Sequence, residues 1–256
     1  MTLGRKRGSN NRHDPSPYGR GAASAPLYPQ EKEVIVPKYS TGLLIEFAPH
    51  ITELTECNIP ELEELKTTSS NWVHSFIMNS FMEAKYPPPM HQYALVFLRK
   101  AESSFQEFYF ARNSLSSYIT TQILHNDRPS EQISQYFAML HRFEVLISQI
   151  YQAYMVYEKF LILDDQKRLW SKGDGSVLEK INTLYNFIKH AEGKINNTST
   201  EPGYLIWLTN SGVSCKQGDI SFIEIAEALK DLAENATYYC NPYKVIKDIE
   251  AGAFTQ

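Results

Sequence analysis

Residues 184–195, LYNFIKHAEGKI, gather the side chains of this 256-residue chain that are best placed to do chemistry. Asn186 and His190 stand four residues apart, so on a helix they are neighbours. Lys189 lies between them and Lys194 follows about a turn later. At about 100° per residue, Leu178, Ile181, Leu184, Tyr185, Ile188 and Ile195 spread over one side of such a helix. Asn182, Asn186, His190, Lys194 and Glu179 fall near the opposite side. A strip so placed faces water or a partner, not its own core. It is either a working surface or the solvated face of a structural helix.

The helix that carries this strip has a clear start. Ser176 and Glu179 have capping-box spacing, which predicts a helix beginning there. Upstream, Phe97, Ala101, Phe105, Phe108, Leu115 and Ile119 recur at three- and four-residue steps. So do Ile133, Phe137, Leu140, Ile147, Tyr151, Tyr154 and Leu161, behind a cap at Ser130. Each pattern exceeds about 25 residues, and the short HNDRPS break between them makes an antiparallel pair. An earlier helix is expected from Pro60 through ELEELKTTSSNWVHSFIMNSFMEA, stopped by YPPPM at 86–90. Downstream, GYLIWLT, NSG and VSC read as a β-hairpin at 203–215, with Gly212 supplying a left-handed turn position. Ser221 and Glu224 form a second capping box and open a last helix. The expected fold is mainly α: an antiparallel bundle of four to five helices, with that small hairpin and short extended segments near 33–48. Residues 1–30 read as a disordered basic tail, 31–89 as extended segments and a helix packed on the bundle, and 90–256 as the bundle itself.

Composition narrows the function. The net charge of −4 is uneven. Residues 1–30 hold Arg5, Lys6, Arg7, Arg12 and Arg20 against Asp14. Of the chain's 25 basic and 29 acidic groups, the remaining 226 residues carry 20 and 28. An acidic body lacks the basic face that duplex DNA requires. Cys57, Cys215 and Cys240 are scattered and odd in number, which suits a reducing cytosol. No apolar run approaches the ~20 residues of a membrane span, and the N-terminus lacks a signal peptide's apolar stretch. The expectation is a cytoplasmic protein without membrane contact.

The segment YNFIKH, 185–190, resembles the all-helical HEPN family. That family carries Arg, a polar residue (often Asn), three variable residues and then His near the start of a late helix. Asn186 and His190 occupy the family's Asn and His positions, and Tyr185 stands in place of the Arg. By helix order the resemblance spans about residues 90–240. It implies RNA cleavage without a metal or cofactor, in a homodimer whose two motif helices face each other. Such proteins are found in bacterial toxin and phage-defence systems. Cleavage needs a base for the ribose 2′-hydroxyl, a proton for the leaving oxygen and positive charge on the phosphate. His190 suits the proton role, since imidazole exists in both forms near neutrality. Asn186 orients the phosphate or the imidazole. Tyr185 cannot supply the missing bidentate charge. Lys189, about 6 Å further along the same stripe, is expected to replace it. Lys194 and the basic tail would assist, and Tyr185 and Lys194 are the further RNA contacts expected.

Other chemistries are disfavoured. Arg112-Asn113 is a decoy, because Ser117 stands where a His should be and Arg112 interrupts an apolar seam. A buried Arg needs an acid, and Glu144 and Glu158 are the candidates, for it or for His190. A helical-bundle metal site wants two Glu-x-x-His motifs, whereas His141 and Glu144 occur once and in reverse order. Phosphate-binding glycine loops and a Gly-x-Ser-x-Gly elbow are absent from the sequence. The aromatic residues between Tyr136 and Phe160 read as core before they read as a base-stacking surface. The competing reading is a non-catalytic helical module that binds a protein partner through its apolar or acidic surfaces.

Overall fold

A computed structural model describes residues 49–82, 86–124, 129–162, 169–190 and 206–251. The expected basic tail (1–30), the extended segments near 33–48, Lys194 and Ile195 lie outside the described residues. Within them the chain is mainly helical with a small antiparallel sheet. No helix among them is long and apolar enough to cross a membrane.

Two long helices form the frame: α3, Met90–Leu124, and α4, Pro129–Ile162. Their apolar seams are buried against each other, and the pairs run in opposite directions. Phe97 stacks on Tyr157 with ring centroids 5.0 Å apart, Lys100 reaches Gln149, Glu107 meets Arg142, and Tyr118 lies edge-on to Tyr136. This is the antiparallel pair the periodicity predicts. The helix α4 begins at Pro129 rather than after a Ser130 cap. A proline there sacrifices no bond, since first-turn amides have no partner within the helix.

The segment from Pro60 is not one helix. It breaks into α1, Glu63–Lys66, a 3₁₀ turn, Thr68–Ser70, and α2, Trp72–Met82. The cause is the run TTSSN, whose side chains take the backbone oxygens that a continuous helix would use. Ser69 Oγ donates to Lys66 O, Ser70 Oγ to Thr67 O and Asn71 Nδ2 to Thr67 O. The pieces are held to the frame by tyrosine and amide donors. Tyr109 Oη donates to Leu62 O, while Tyr118 Oη and Gln122 Nε2 donate to Ile51 O.

Strands β1, Trp207–Leu208, β2, Gly212–Cys215, and β3, Gly218–Ser221, form an antiparallel sheet in sequence order. The hairpin expected at 203–215 is therefore one half of a three-stranded meander. The sequence conceals β3 because Gly218 and Asp219 are poor strand formers, and pairing with β2 overrides that weakness. Val213 faces Ile220 in register, both fully buried, while Ser214 faces Asp219 on the other side. Gly212 does not adopt the left-handed turn position expected of it. It lies in β2, and a Cβ there would sit 2.0 Å from Ile220 O. Glycine is needed for close approach.

The last two helices are α6, Phe222–Tyr239, and α7, Pro242–Glu250. The buried alanines Ala226, Ala228, Ala233 and Ala236 let α6 lie close to its neighbours. It is tied to α4 by Tyr154 Oη, which donates to Ala228 O and Asp231 Oδ2, both at 2.8 Å, and by Tyr157 Oη, which donates to Asn235 Oδ1.

Candidate functional site

Helix α5, Val177–Lys189, carries the candidate strip. Its entry is built from SKGDGS. Gly173 and Gly175 have φ of 84° and 70°, a region where side chains with a Cβ are strained. Asp174 accepts from the Ser171 and Ser176 amides at 2.6 and 2.8 Å, and these bonds hold its carboxyl below the usual carboxylate range. Ser176 Oγ caps the helix by accepting from the Glu179 amide. The expected reciprocal half of the box is absent. The Glu179 carboxylate turns to the Gly173 and Gly175 amides instead, while Asp174 serves the Ser176 amide. The outcome is a start at the expected residue, with the loop before it fixed by two carboxylates.

The body of α5 is held on its inner side. Ile181, Leu184 and Phe187 are buried, and Lys180 Nζ reaches Glu224 of α6 at 2.6 Å. Phe187 was not among the seam residues expected, because it falls between the strip and the seam on an ideal wheel. The outer side agrees with the periodicity at Asn186 and His190, whereas Glu179 and Asn182 of the same strip are half-buried and Lys189, expected on the stripe of Tyr185, points to solvent. Asn186, Lys189 and His190 are exposed, and Asn186 Nδ2 donates to Asn182 Oδ1 at 2.9 Å.

His190 closes the helix as its C-cap, its amide donating to Asn186 O. The strip thus ends where unpaired carbonyls give a helix its partial negative charge, and Lys189 in the last turn complements that charge. A phosphate here must be met by side chains, because the helix dipole opposes it.

Tyr185 is not part of the exposed strip. It is half-buried and stacks on Tyr151 of α4, with ring centroids 4.0 Å apart and planes 18° from parallel. Burial, then the neighbouring Tyr185 and Glu158, push the Tyr151 hydroxyl above its ordinary pKa. Lys189 Nζ lies 5.9 Å from the Tyr185 ring centroid, a cation–π distance. The positive charge therefore sits beside the ring of Tyr185. Tyr151 is the contact that sequence reasoning missed, since it reads as one more aromatic in the α4 seam.

The decoy Arg112 has an acid partner, but neither of those expected. Its Nη2 meets Glu61 Oε1 at 2.5 Å, because Tyr109 holds the chain before α1 against α3. Glu144 instead lies 3.3 Å from His141 Nδ1 on its own helix.

Compared with family models, curated proteins and solved structures, the chain finds no match.

Proposed function

We propose that the chain is a HEPN-like RNA-binding module or metal-independent endoribonuclease, and that the exposed end of α5 is its site. The observation that carries this reading is the grouping of Asn186, Lys189 and His190 in solvent at the end of a helix whose other side is anchored. Such a group has the parts for transesterification. An imidazole takes the 2′-hydroxyl proton, the freed oxygen attacks the adjacent phosphorus, and an imidazolium returns a proton to the departing 5′-oxygen. One histidine cannot occupy both protonation states at once, so the reading pairs His190 of two copies across a two-fold axis. Lys189 offsets the charge that builds on the phosphate, and Asn186 positions it. The resemblance to the HEPN family, not the chemistry, is what suggests a role in bacterial toxin or phage-defence systems.

The test is incubation of total RNA with the purified chain in EDTA. Wild type should cut, and His190→Ala should cut at least about 100-fold more slowly, the scale of a lost general acid or base. Absence of both cutting and RNA binding by wild type would reject the reading. Binding without cutting would leave an RNA-binding module with no nuclease.

A second reading, a non-catalytic protein-interaction module, is favoured by a separate observation. Ile77, Met78 and Phe81 lie within about one turn of α2, and Phe81 is 77% exposed. On that reading His190→Ala changes nothing, and substitutions on α2 abolish partner capture.

A further inference from the structure

Away from α5, helix α2 and the start of α3 enclose a cleft of about 660 Å³. Its walls include the buried rings of Phe76 and Tyr86, and its rim includes the exposed Ile77 and Phe81. The volume lies in the range of sites that take small organic molecules. Among the described residues the lining includes no acid, lysine or arginine.

Two polar atoms in this lining have no hydrogen-bond partner among the described residues. One is Ser80 Oγ, on a residue only 8% exposed, and the other is the enclosed Nδ1 of His91. They border the same ring: Ser80 follows Phe76 by one helical turn, and the His91 imidazole packs against the Phe76 ring at 4.9 Å. The Tyr86 hydroxyl, by contrast, is already committed to Tyr239 O. Native interiors rarely leave buried polar atoms unpaired, and an apolar cleft with a few convergent polar groups is the usual form of a ligand site.

We propose that this cleft binds a neutral, mostly apolar small molecule that carries one hydroxyl, carbonyl or amide group for Ser80 and His91. Among the described residues an anion would find no cation in the lining, and a charged ligand of either sign would lose its hydration without compensation from them. A serine hydroxyl and an imidazole nitrogen each donate or accept, so both senses of a neutral polar group are served.

The experiment compares 2-naphthol with 2-methylnaphthalene, two probes with the same ring body that differ by a hydroxyl against a methyl. Each is titrated onto the full chain and followed by ligand-observed saturation-transfer NMR. Wild type should bind 2-naphthol up to about tenfold more tightly, the worth of one or two neutral hydrogen bonds. Ser80→Ala should reduce that preference several-fold, and Leu95→Trp, which fills the cleft, should abolish binding of both probes. Far-UV circular dichroism checks that each variant folds. If Leu95→Trp does not, His91→Phe should still erase the preference. Failure of wild type to bind either probe, equal binding of both, or a preference untouched by Ser80→Ala and His91→Phe would each overturn the proposal.

Discussion

Tyr185 is where fold and proposed chemistry compete for one position. Its ring stacks on Tyr151 and so helps to fasten α5 to α4, while an arginine at this position would grip phosphate in two places. Tyr185→Arg should therefore raise RNA cleavage or binding while lowering stability by about 0.5–1.5 kcal/mol, the usual worth of an aromatic pair. The two effects are read separately, by cleavage rate in EDTA and by urea unfolding. Lys189→Ala is the complementary change. It should weaken RNA binding and flatten its salt dependence, since it removes an exposed cation. Gly212 supplies a residue-scale test of the fold alone. Its missing side chain lets β2 pass over the Ile220 carbonyl, so Gly212→Ala should cost about 1–3 kcal/mol in urea unfolding, as overpacking against backbone does.

At the scale of elements, α6 begins with both halves of its capping box in place: Ser221 Oγ accepts from the Glu224 amide, and Glu224 accepts from the Ser221 amide. Burial pushes the Glu224 carboxyl up, but the bonds from Lys180 and from Ser221 outweigh it and hold the pKa below its ordinary 4.5. Its charged form is thus favoured in the folded chain more than in the unfolded one. The stability it contributes is present above pH 4.5 and is lost as pH falls through the lower folded value. Glu224→Gln should lower stability at neutral pH and make the acid limb of a denaturation series shallower. A wild-type limb with the same slope would show that Glu224 contributes nothing. Ser221→Ala removes the other half and should cost about 1 kcal/mol at neutral pH. The cost should be less once Glu224 is protonated, because the Ser221 hydroxyl also donates to the Glu224 carboxylate; thermal unfolding at the two pH values reads both. The second such spacing, Ser176 with Glu179, shows why a motif need not complete itself. Two glycines before the helix offered Glu179 free amides, and it took those.

For the whole molecule, the joint between α4 and α6 rests on buried phenols. Burial, then the nearby Asp231, push the Tyr154 hydroxyl far above its ordinary pKa, so it stays a neutral donor at any working pH. Tyr154→Phe removes one donor from two acceptors and leaves Ala228 O and Asp231 to find others. It should cost about 1–3 kcal/mol in urea unfolding without altering helical content by circular dichroism. A cost near zero would mean that water replaces the hydroxyl. The long α3–α4 pair and the starts of α5 and α6 were legible in the chain because they depend on local spacing alone: a 3.6-residue period and a Ser followed three residues later by Glu. The exposure of Asn186 and His190 was legible for the same reason, since a helix face follows from its own wheel; that of Lys189, which the wheel sets on the stripe of Tyr185, was not.

What the sequence determined by itself, then, was the helical class, the starts of α5 and α6 and the outward facing of Asn186 and His190. Tertiary structure alone decided the rest, because each remaining feature depends on a partner distant in the chain. Strand β3 exists through pairing with β2, despite its weak propensity. Arg112 takes Glu61, some fifty residues away, rather than an acid on the second long helix. Tyr185 is a packing residue because Tyr151 lies beneath it, and Ser80 and His91 share one apolar cleft because α2 folds back on the start of α3. Periodicity records which way a side chain faces; only the packed chain settles what it meets.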